Sequence, residues 1–323
     1  MKIPFISGLL AAASILTLTG CCKTDIPPTA DIPKIYDYNV LIVPDLSNRI
    51  NPDIHPKPLH DTILINNIAD SIGSLLKINS RQMNQLDTYK LDFINRGILN
   101  KNVADSHQLE INFRKFGNDL QKTSSYKREH LQQDIHSFKT NVSKIYTYSL
   151  QNLSGSDVWN YFNQTVNNSL INEPDTKVEI AKDEFIIKGT RNIVVLLTDG
   201  YIESINDNSG YTLDQKLIQK IRKSFLESGS SDLEKFITSK PEYLIKKTSA
   251  PLPNTYVLIL EMVDRSLDKN GASTVQPTDF EIMKIIWSQW LTASGASKVS
   301  IYPVFSQKTE ASQTLKKFME EIR

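Results

Sequence analysis

The sequence predicts an α/β fold: a doubly wound, mostly parallel central sheet with one antiparallel edge strand and helices on both faces. The first supporting observation is a pair of short apolar runs at residues 40–43 and 193–197, rich in β-branched residues and followed by turn formers. Such runs are typical of strands buried on both faces. The second is that further strand-like runs, at residues 256–263 and 299–305, alternate with helical segments. This alternation favours one sheet over two separate domains.

Apolar residues at helical spacing predict the helices, and Asp61 is predicted to cap the first of them. The main helical segments are residues 65–76, 117–152, 213–225, 283–291 and 315–322. Residues 117–152 are predicted to form one long helix whose narrow apolar stripe lies on the sheet. Alternating apolar residues at 89–93 and 109–113 predict an antiparallel edge pair, whereas residues 178–188 fit either a strand pair or a helix.

The amino-terminal residues have the features of an export signal. Lys2 precedes an apolar stretch at residues 3–18, and small residues precede Cys21. The predicted organisation is therefore a signal peptide at residues 1–20, a tether at residues 21–35 and a single domain at residues 36–323.

The residues Leu-Thr-Gly-Cys at positions 18–21 resemble the lipobox of bacterial lipoproteins. The resemblance implies diacylation of Cys21 and anchoring in a membrane of the bacterial cell envelope, with the outer membrane or the cell surface favoured. Several acyl chains on one residue anchor a protein stably. The alternatives are an ordinary signal peptide with incidental cysteines and an uncleaved anchor.

Composition restricts the kinds of partner and of metal site. The chain has 323 residues and a formal net charge of +1, so no nucleic-acid partner is predicted. Its two cysteines, Cys21 and Cys22, both lie in the predicted tether. The body of the protein therefore has neither a disulfide framework nor a cysteine metal site, and a large apolar core must stabilise it.

Two aspartates follow the two central apolar runs. Asp45 and Ser47 come directly after the first run, and Asp199 lies in Thr-Asp-Gly after the second. Ligands of open α/β sheets bind beyond the carboxyl ends of the strands, where these residues are expected. Carboxylate and hydroxyl oxygens are the ligands that magnesium, calcium and manganese prefer. The sequence therefore predicts a divalent-cation site at this edge.

This arrangement resembles a von Willebrand factor A-type domain over residues 36–323. In that family a metal-ion-dependent adhesion site takes ligands from Asp-x-Ser-x-Ser, from a threonine loop and from Thr-Asp-Gly. The resemblance assigns Asp45 and Ser47 to the first ligands, Ser156 to the threonine and Asp199 to the last. It implies a membrane-tethered binding module, not an enzyme, in which an acidic side chain of a protein partner completes the coordination of the cation.

Arg49 departs from the family pattern, because it stands where the second serine belongs. A guanidinium about 4.5 Å from a divalent cation is repelled by roughly 7 kcal/mol at an effective dielectric near 20. Two arrangements are open: Arg49 turns outward and water replaces the serine, or Arg49 pairs with Asp45 and Asp199 and substitutes for the metal.

Two other functions remain open. The first is a metal-free scaffold in which Arg49 is the permanent cation. The second is a magnesium-dependent phosphoesterase with Asp45 as nucleophile, although such enzymes need a second acid where this chain has Ser47. His55 and His60 are predicted to be surface residues. Trp159, Trp287 and Trp290 are predicted to lie in the core.

Overall fold

The computed structural model describes residues 32–94, 96–153, 155–203, 211–268 and 270–322. From Pro33 onward these residues form one compact unit. The predicted signal peptide and Cys21 lie outside the described residues. No described helix combines the length and the apolar character needed to cross a bilayer.

Seven strands of the described chain form one sheet. They are β1 (Lys34–Pro44), β2 (Thr88–Leu91), β3 (Glu110–Asn112), β4 (Thr176–Ala181), β5 (Glu184–Leu197), β6 (Thr255–Met262) and β7 (Lys298–Pro303). Their order is β3-β2-β1-β5-β6-β7, with β4 beside β5. The central pairings are parallel, β3 is an antiparallel edge strand, and β4 forms an antiparallel hairpin with β5. The predicted fold class is confirmed.

Helices cover both faces of the sheet. They are α1 (Asp61–Leu75), α2 (Leu120–Glu129), α3 (Leu131–Gln151), α4 (Val158–Asn160), α5 (Gln215–Ser228), α6 (Leu233–Thr238), α7 (Asp279–Ala293) and α8 (Glu310–Glu321). Successive side chains of β1 alternate between two cores. Val40 and Ile42 pack in the cluster that includes α1, α3 and α8, whereas Leu41 and Val43 pack in the cluster that includes α5 and α7.

Several local predictions were wrong. The single long helix is interrupted at His130, whose φ of −121° ends α2 before α3 begins. The cap of α1 is His60, whose ring accepts a hydrogen bond from the Thr62 amide, and Asp61 is buried in the first turn. Trp159 is only partly buried, although Trp287 and Trp290 lie in the core. Residues 178–188 form a strand pair, which was one of the two predicted alternatives.

The centre of the sheet determines where a ligand can bind. β1 and β5 pair in parallel from Lys34 with Ile187 to Pro44 with Leu197. The chain continues from β1 to β2 on one side, and from β5 to β6 on the other. The strand order therefore reverses between β1 and β5, and in open α/β sheets the ligand crevice lies beyond the carboxyl ends at such a point.

Candidate functional site

A cavity of about 160 Å³ lies at this reversal point. Its described lining includes all four residues that the sequence analysis assigned to a cation: Asp45, Ser47, Ser156 and Asp199. They come from three separate segments: the loops after β1 and β5, and the loop between α3 and α4. The remaining lining residues are Asn48, Leu153, Gly155, Tyr201 and Glu203.

Asp45 is held in a fixed orientation at the end of β1. Its amide donates to the Leu197 carbonyl at 2.9 Å, which joins the two strand ends. Its Oδ1 accepts a hydrogen bond from the Ser47 amide at 3.1 Å, and its Oδ2 accepts one from the Thr198 hydroxyl at 3.0 Å. Each carboxylate oxygen can accept a second bond, so Asp45 can also act as a ligand.

Asp199 lies in the tight turn that follows β5. Its Oδ1 accepts a hydrogen bond from the Tyr201 amide at 3.2 Å. Gly200 has a φ of +88°, and a Cβ there would lie 2.9 Å from the side chain of Met262. The Nε1 of Trp287 donates a hydrogen bond to the Gly200 carbonyl at 2.9 Å, which holds the turn in place. The glycine of Thr-Asp-Gly is thus required both by the backbone conformation and by the packing beneath it.

The two carboxylates act on each other electrostatically. Burial and the negative charge of Asp45 raise the pKa of Asp199, and the charges of Arg49 and Arg265 offset this only in part. A positive ion in the cavity would relieve the repulsion between Asp45 and Asp199, as an opposite charge near a carboxylate favours its ionised form.

Ser156 has a buried hydroxyl oxygen that makes no hydrogen bond within the described residues. Buried polar atoms are nearly always paired, so an unpaired hydroxyl on a residue that lines a cavity is available to a ligand. Ser47 is half-buried and also lines this cavity. The cavity therefore offers two carboxylates and two hydroxyls, all oxygen donors of the kind that hard divalent cations bind.

Arg265, which the sequence analysis missed, already contacts this site. Its Nη2 donates to Asp199 Oδ2 at 3.0 Å and its Nη1 donates to Glu203 at 2.9 Å, while its guanidinium carbon lies 3.7 Å from the centre of the Tyr201 ring. Its side chain remains 27% exposed. Arg265 follows β6, so the rule that located Asp45 and Asp199 at strand ends would also have located it.

Arg49 takes up only part of the second predicted arrangement: it pairs with Asp45, whereas the ion pair described for Asp199 is with Arg265. Arg49 is 1% exposed, so it does not turn outward. Its Nε donates to the Asp45 carbonyl at 2.9 Å, and its Nη2 donates to the Leu197 carbonyl at 2.6 Å and to Asp61. The Asp45 carboxylate is 3.7 Å from Nε, within ion-pair range. Arg49 therefore fastens the two strand ends to α1 from within the protein, and it is not among the described residues that line the cavity.

A buried charged cluster behind the cavity consists of Arg49, Asp61, Lys57 and Glu261. Lys57 Nζ donates to Asp61 Oδ1 at 2.6 Å, and Tyr146 donates to Asp61 Oδ2 at 3.0 Å. Burial alone would raise the pKa of Asp61, but the charges of Arg49 and Lys57 outweigh it and hold that pKa well below its ordinary value. Asp61 was predicted only as a helix cap and Arg49 only as a neighbour of the cation site, and neither Lys57 nor Glu261 was predicted to take part.

Among the described residues there is no group of three or more histidine, cysteine or carboxylate side chains able to hold a metal. The candidate site has a different composition, with two carboxylates supplemented by two hydroxyls. Comparison of the sequence with known protein families finds no matching family model, and no curated protein matches it.

Proposed function

We propose that this protein is a membrane-tethered binding module of the von Willebrand factor A type. Asp45, Ser47, Ser156 and Asp199 would hold a divalent cation, magnesium or else calcium or manganese, and Cys21 would carry the lipid anchor. The cation supplies a positive centre with an open position, which an acidic side chain of a protein partner fills. The observation that carries the proposal is the convergence of these four oxygen-bearing side chains on one cavity.

The residues present are compatible with a cation, but it must compete with an arginine. Asp199 Oδ2 is engaged by Arg265, which is partly exposed and also has Glu203 as a partner. Arg265 can therefore leave Asp199 without losing its second ion pair. Arg49 stays in place behind the loops, where it orients Asp45 through its backbone carbonyl.

A second candidate function is the metal-free scaffold. Arg49 lies 3.7 Å from the Asp45 carboxylate, and Arg265 lies 3.0 Å from that of Asp199, so each acid already has a cationic neighbour. In this alternative, binding takes place elsewhere on the surface. The phosphoesterase alternative is less favoured, because the position two residues after Asp45 is occupied by Ser47 rather than by a general acid.

Thermal melting with divalent cations distinguishes the first two candidates. We expect magnesium, or manganese in its place, to raise the free energy of unfolding by about 2.7 kcal/mol at a hundredfold excess over the dissociation constant, and a chelator to reverse it. Asp199→Ala should abolish this shift and any partner binding while the fold remains intact.

The matched control for that variant is Asp175→Ala. Asp175 is also an arginine-paired aspartate, bound to Arg191 at the opposite end of the sheet. This control should retain the full shift. A wild-type melting curve that no divalent cation moves would leave the metal-free scaffold as the better proposal.

Arg265→Ala is expected to tighten cation binding. Removing the guanidinium frees Asp199 Oδ2 and eliminates a competing positive charge, which we expect to lower the dissociation constant roughly 10-fold, equivalent to about 1.4 kcal/mol. Isothermal titration with magnesium or manganese measures the change.

Arg114→Ala is the control for this second variant. Arg114, whose side chain is about as exposed as that of Arg265, forms an ion pair with Glu173 near the amino ends of the strands. The Arg114→Ala variant should leave the dissociation constant of the cation unchanged. Weaker binding after Arg265→Ala would mean that the arginine supports the cation site instead of competing with it.

A further inference from the structure

The hairpin strand β4 presents an open edge. Within the described chain β4 pairs with β5 alone, so its other edge has no strand partner. All six residues of β4 are exposed. An open edge with accessible backbone N–H and C=O groups is a template for pairing with another strand.

One face of this hairpin is apolar. Val178 and Ile180 are 37% and 58% exposed, and beside them lie the exposed side chains of Ile35 and Met83. Together with Ile186 they line a groove of about 900 Å³. The groove lies near the amino ends of the strands, away from the candidate cation site. A strand added to the open edge of β4 would lie beside these exposed apolar side chains.

The other face of β4 carries one charge of each sign. Lys177 and Glu179 are two residues apart and therefore point to the same side of the strand. Lys177 lies over the Phe185 ring at 3.9 Å, and neither residue forms an ion pair within the described part of the chain. The register irregularity of the β4–β5 pairing begins only after Glu179, so this segment is regular.

We propose that β4 pairs antiparallel with β4 of a second copy of this chain, about a two-fold axis at Val178. In that register Lys177 lies opposite Glu179 of the second copy. By symmetry, Glu179 lies opposite Lys177 of the second copy. Val178 lies opposite its own counterpart, and Thr176 lies opposite Ile180 on the apolar face. In every pair, a residue of the apolar face lies opposite a residue of the apolar face, and a residue of the charged face lies opposite a residue of the charged face.

The charge pattern selects a second copy over an unrelated strand. A strand with a cation and an anion at positions 177 and 179 is complementary to itself when it is reversed about residue 178, as an isologous two-fold interface demands. A six-residue strand forms a small interface, so we expect a weak dimer with a dissociation constant of about 1–100 μM. This inference does not depend on cation binding.

Sedimentation equilibrium of the full chain in detergent micelles tests the register through charge reversal. Lys177→Glu and Glu179→Lys each place like charges opposite one another twice, so each single variant should dimerise about 10-fold more weakly than the wild type. The double variant Lys177→Glu/Glu179→Lys restores both ion pairs and should return to the wild-type dissociation constant.

Mixing the two single variants gives the most specific result. One variant then carries two glutamates and the other two lysines, so their heterodimer forms both ion pairs although neither homodimer does. We expect the mixture to dimerise like the wild type, which also shows that both variants are folded. Lys223→Glu, a charge reversal in the exposed pair with Glu227 on α5, should change nothing.

Three results would overturn the proposal. They are a wild-type chain that stays monomeric throughout the micromolar range, single variants that dimerise as well as the wild type, and a mixture of single variants that dimerises no better than either alone.

Discussion

Arg49→Ala is expected to lower the free energy of unfolding by about 3–5 kcal/mol, because it leaves a buried carboxylate without its main partner. Asp61 is 1% exposed, and Arg49 and Lys57 are its cationic partners. The same variant removes the hydrogen bonds to the carbonyls of Asp45 and Leu197, which hold the ends of β1 and β5 together. Urea unfolding monitored by circular dichroism measures the loss.

Arg128→Ala provides the comparison for this variant. Arg128 pairs with its neighbour Glu129 on the surface of α2, where water screens the ion pair, so the loss of stability should be much smaller. Arg49→Lys keeps the charge but loses the planar guanidinium group that donates several hydrogen bonds. Its free energy of unfolding should therefore lie between those of the wild type and Arg49→Ala. A loss of less than about 1 kcal/mol for Arg49→Ala would show that the cluster behind the cavity does not stabilise the fold.

The second large effect is a pH dependence that arises from Glu261. This residue is fully buried in β6, and its Oε2 has no hydrogen-bond partner within the described residues. Burial raises its pKa from the ordinary 4.5 to about 7; the Phe305 amide lowers it, Asp61 raises it further, and Lys57 and Arg49 lower it. Lys57 is the nearest cation, with its Nζ 4.0 Å from Oε2.

Proton binding determines whether the free energy of unfolding rises or falls with pH. Between pH 4.5 and about 7 the folded chain holds a proton on Glu261 that the unfolded chain has released, so stability falls as the pH rises. Above about pH 7 the buried, ionised Glu261 lowers the free energy of unfolding by the full amount, about 3 kcal/mol. Below pH 4.5 both states are protonated and the cost disappears.

Glu261→Gln removes this titration. We expect its free energy of unfolding, relative to the wild type, to rise by about 3 kcal/mol between pH 4.5 and pH 8, as measured by urea unfolding at a series of pH values. The exposed Glu234→Gln should leave the pH profile unchanged. Parallel profiles for the wild type and Glu261→Gln would mean that Glu261 is ionised in the folded protein throughout this range.

The strand positions and two site residues could be predicted because they depend on local pattern. Apolar runs identified β1 and β5, and the parallel pairing of those strands brings Asp45 and Asp199 to the same edge. Ser156 was assigned through a resemblance to a family, and its lining of the cavity depends on how the loop between α3 and α4 folds.

The missed features depend on contacts between distant segments. Asp61 has the local signature of a helix cap, yet it is the buried partner of Arg49 and of Tyr146, which lies 85 residues further along. Glu261 sits within an apolar strand at a φ of +72°, a conformation that no periodicity reveals. Arg265 could have been found, because it directly follows a predicted strand.

β1 has a mechanical consequence. The strand runs from Lys34, which follows the predicted tether in the sequence, to Pro44, the residue before Asp45. Under the proposed function, a partner that pulls against the proposed anchor would load β1 along its axis. Its pairing with β5, from Lys34 to Pro44, is then loaded in shear, and the backbone hydrogen bonds share the force instead of opening one after another. Because the force is shared in this way, we expect a partner bound at the proposed site to release before β1 separates from β5.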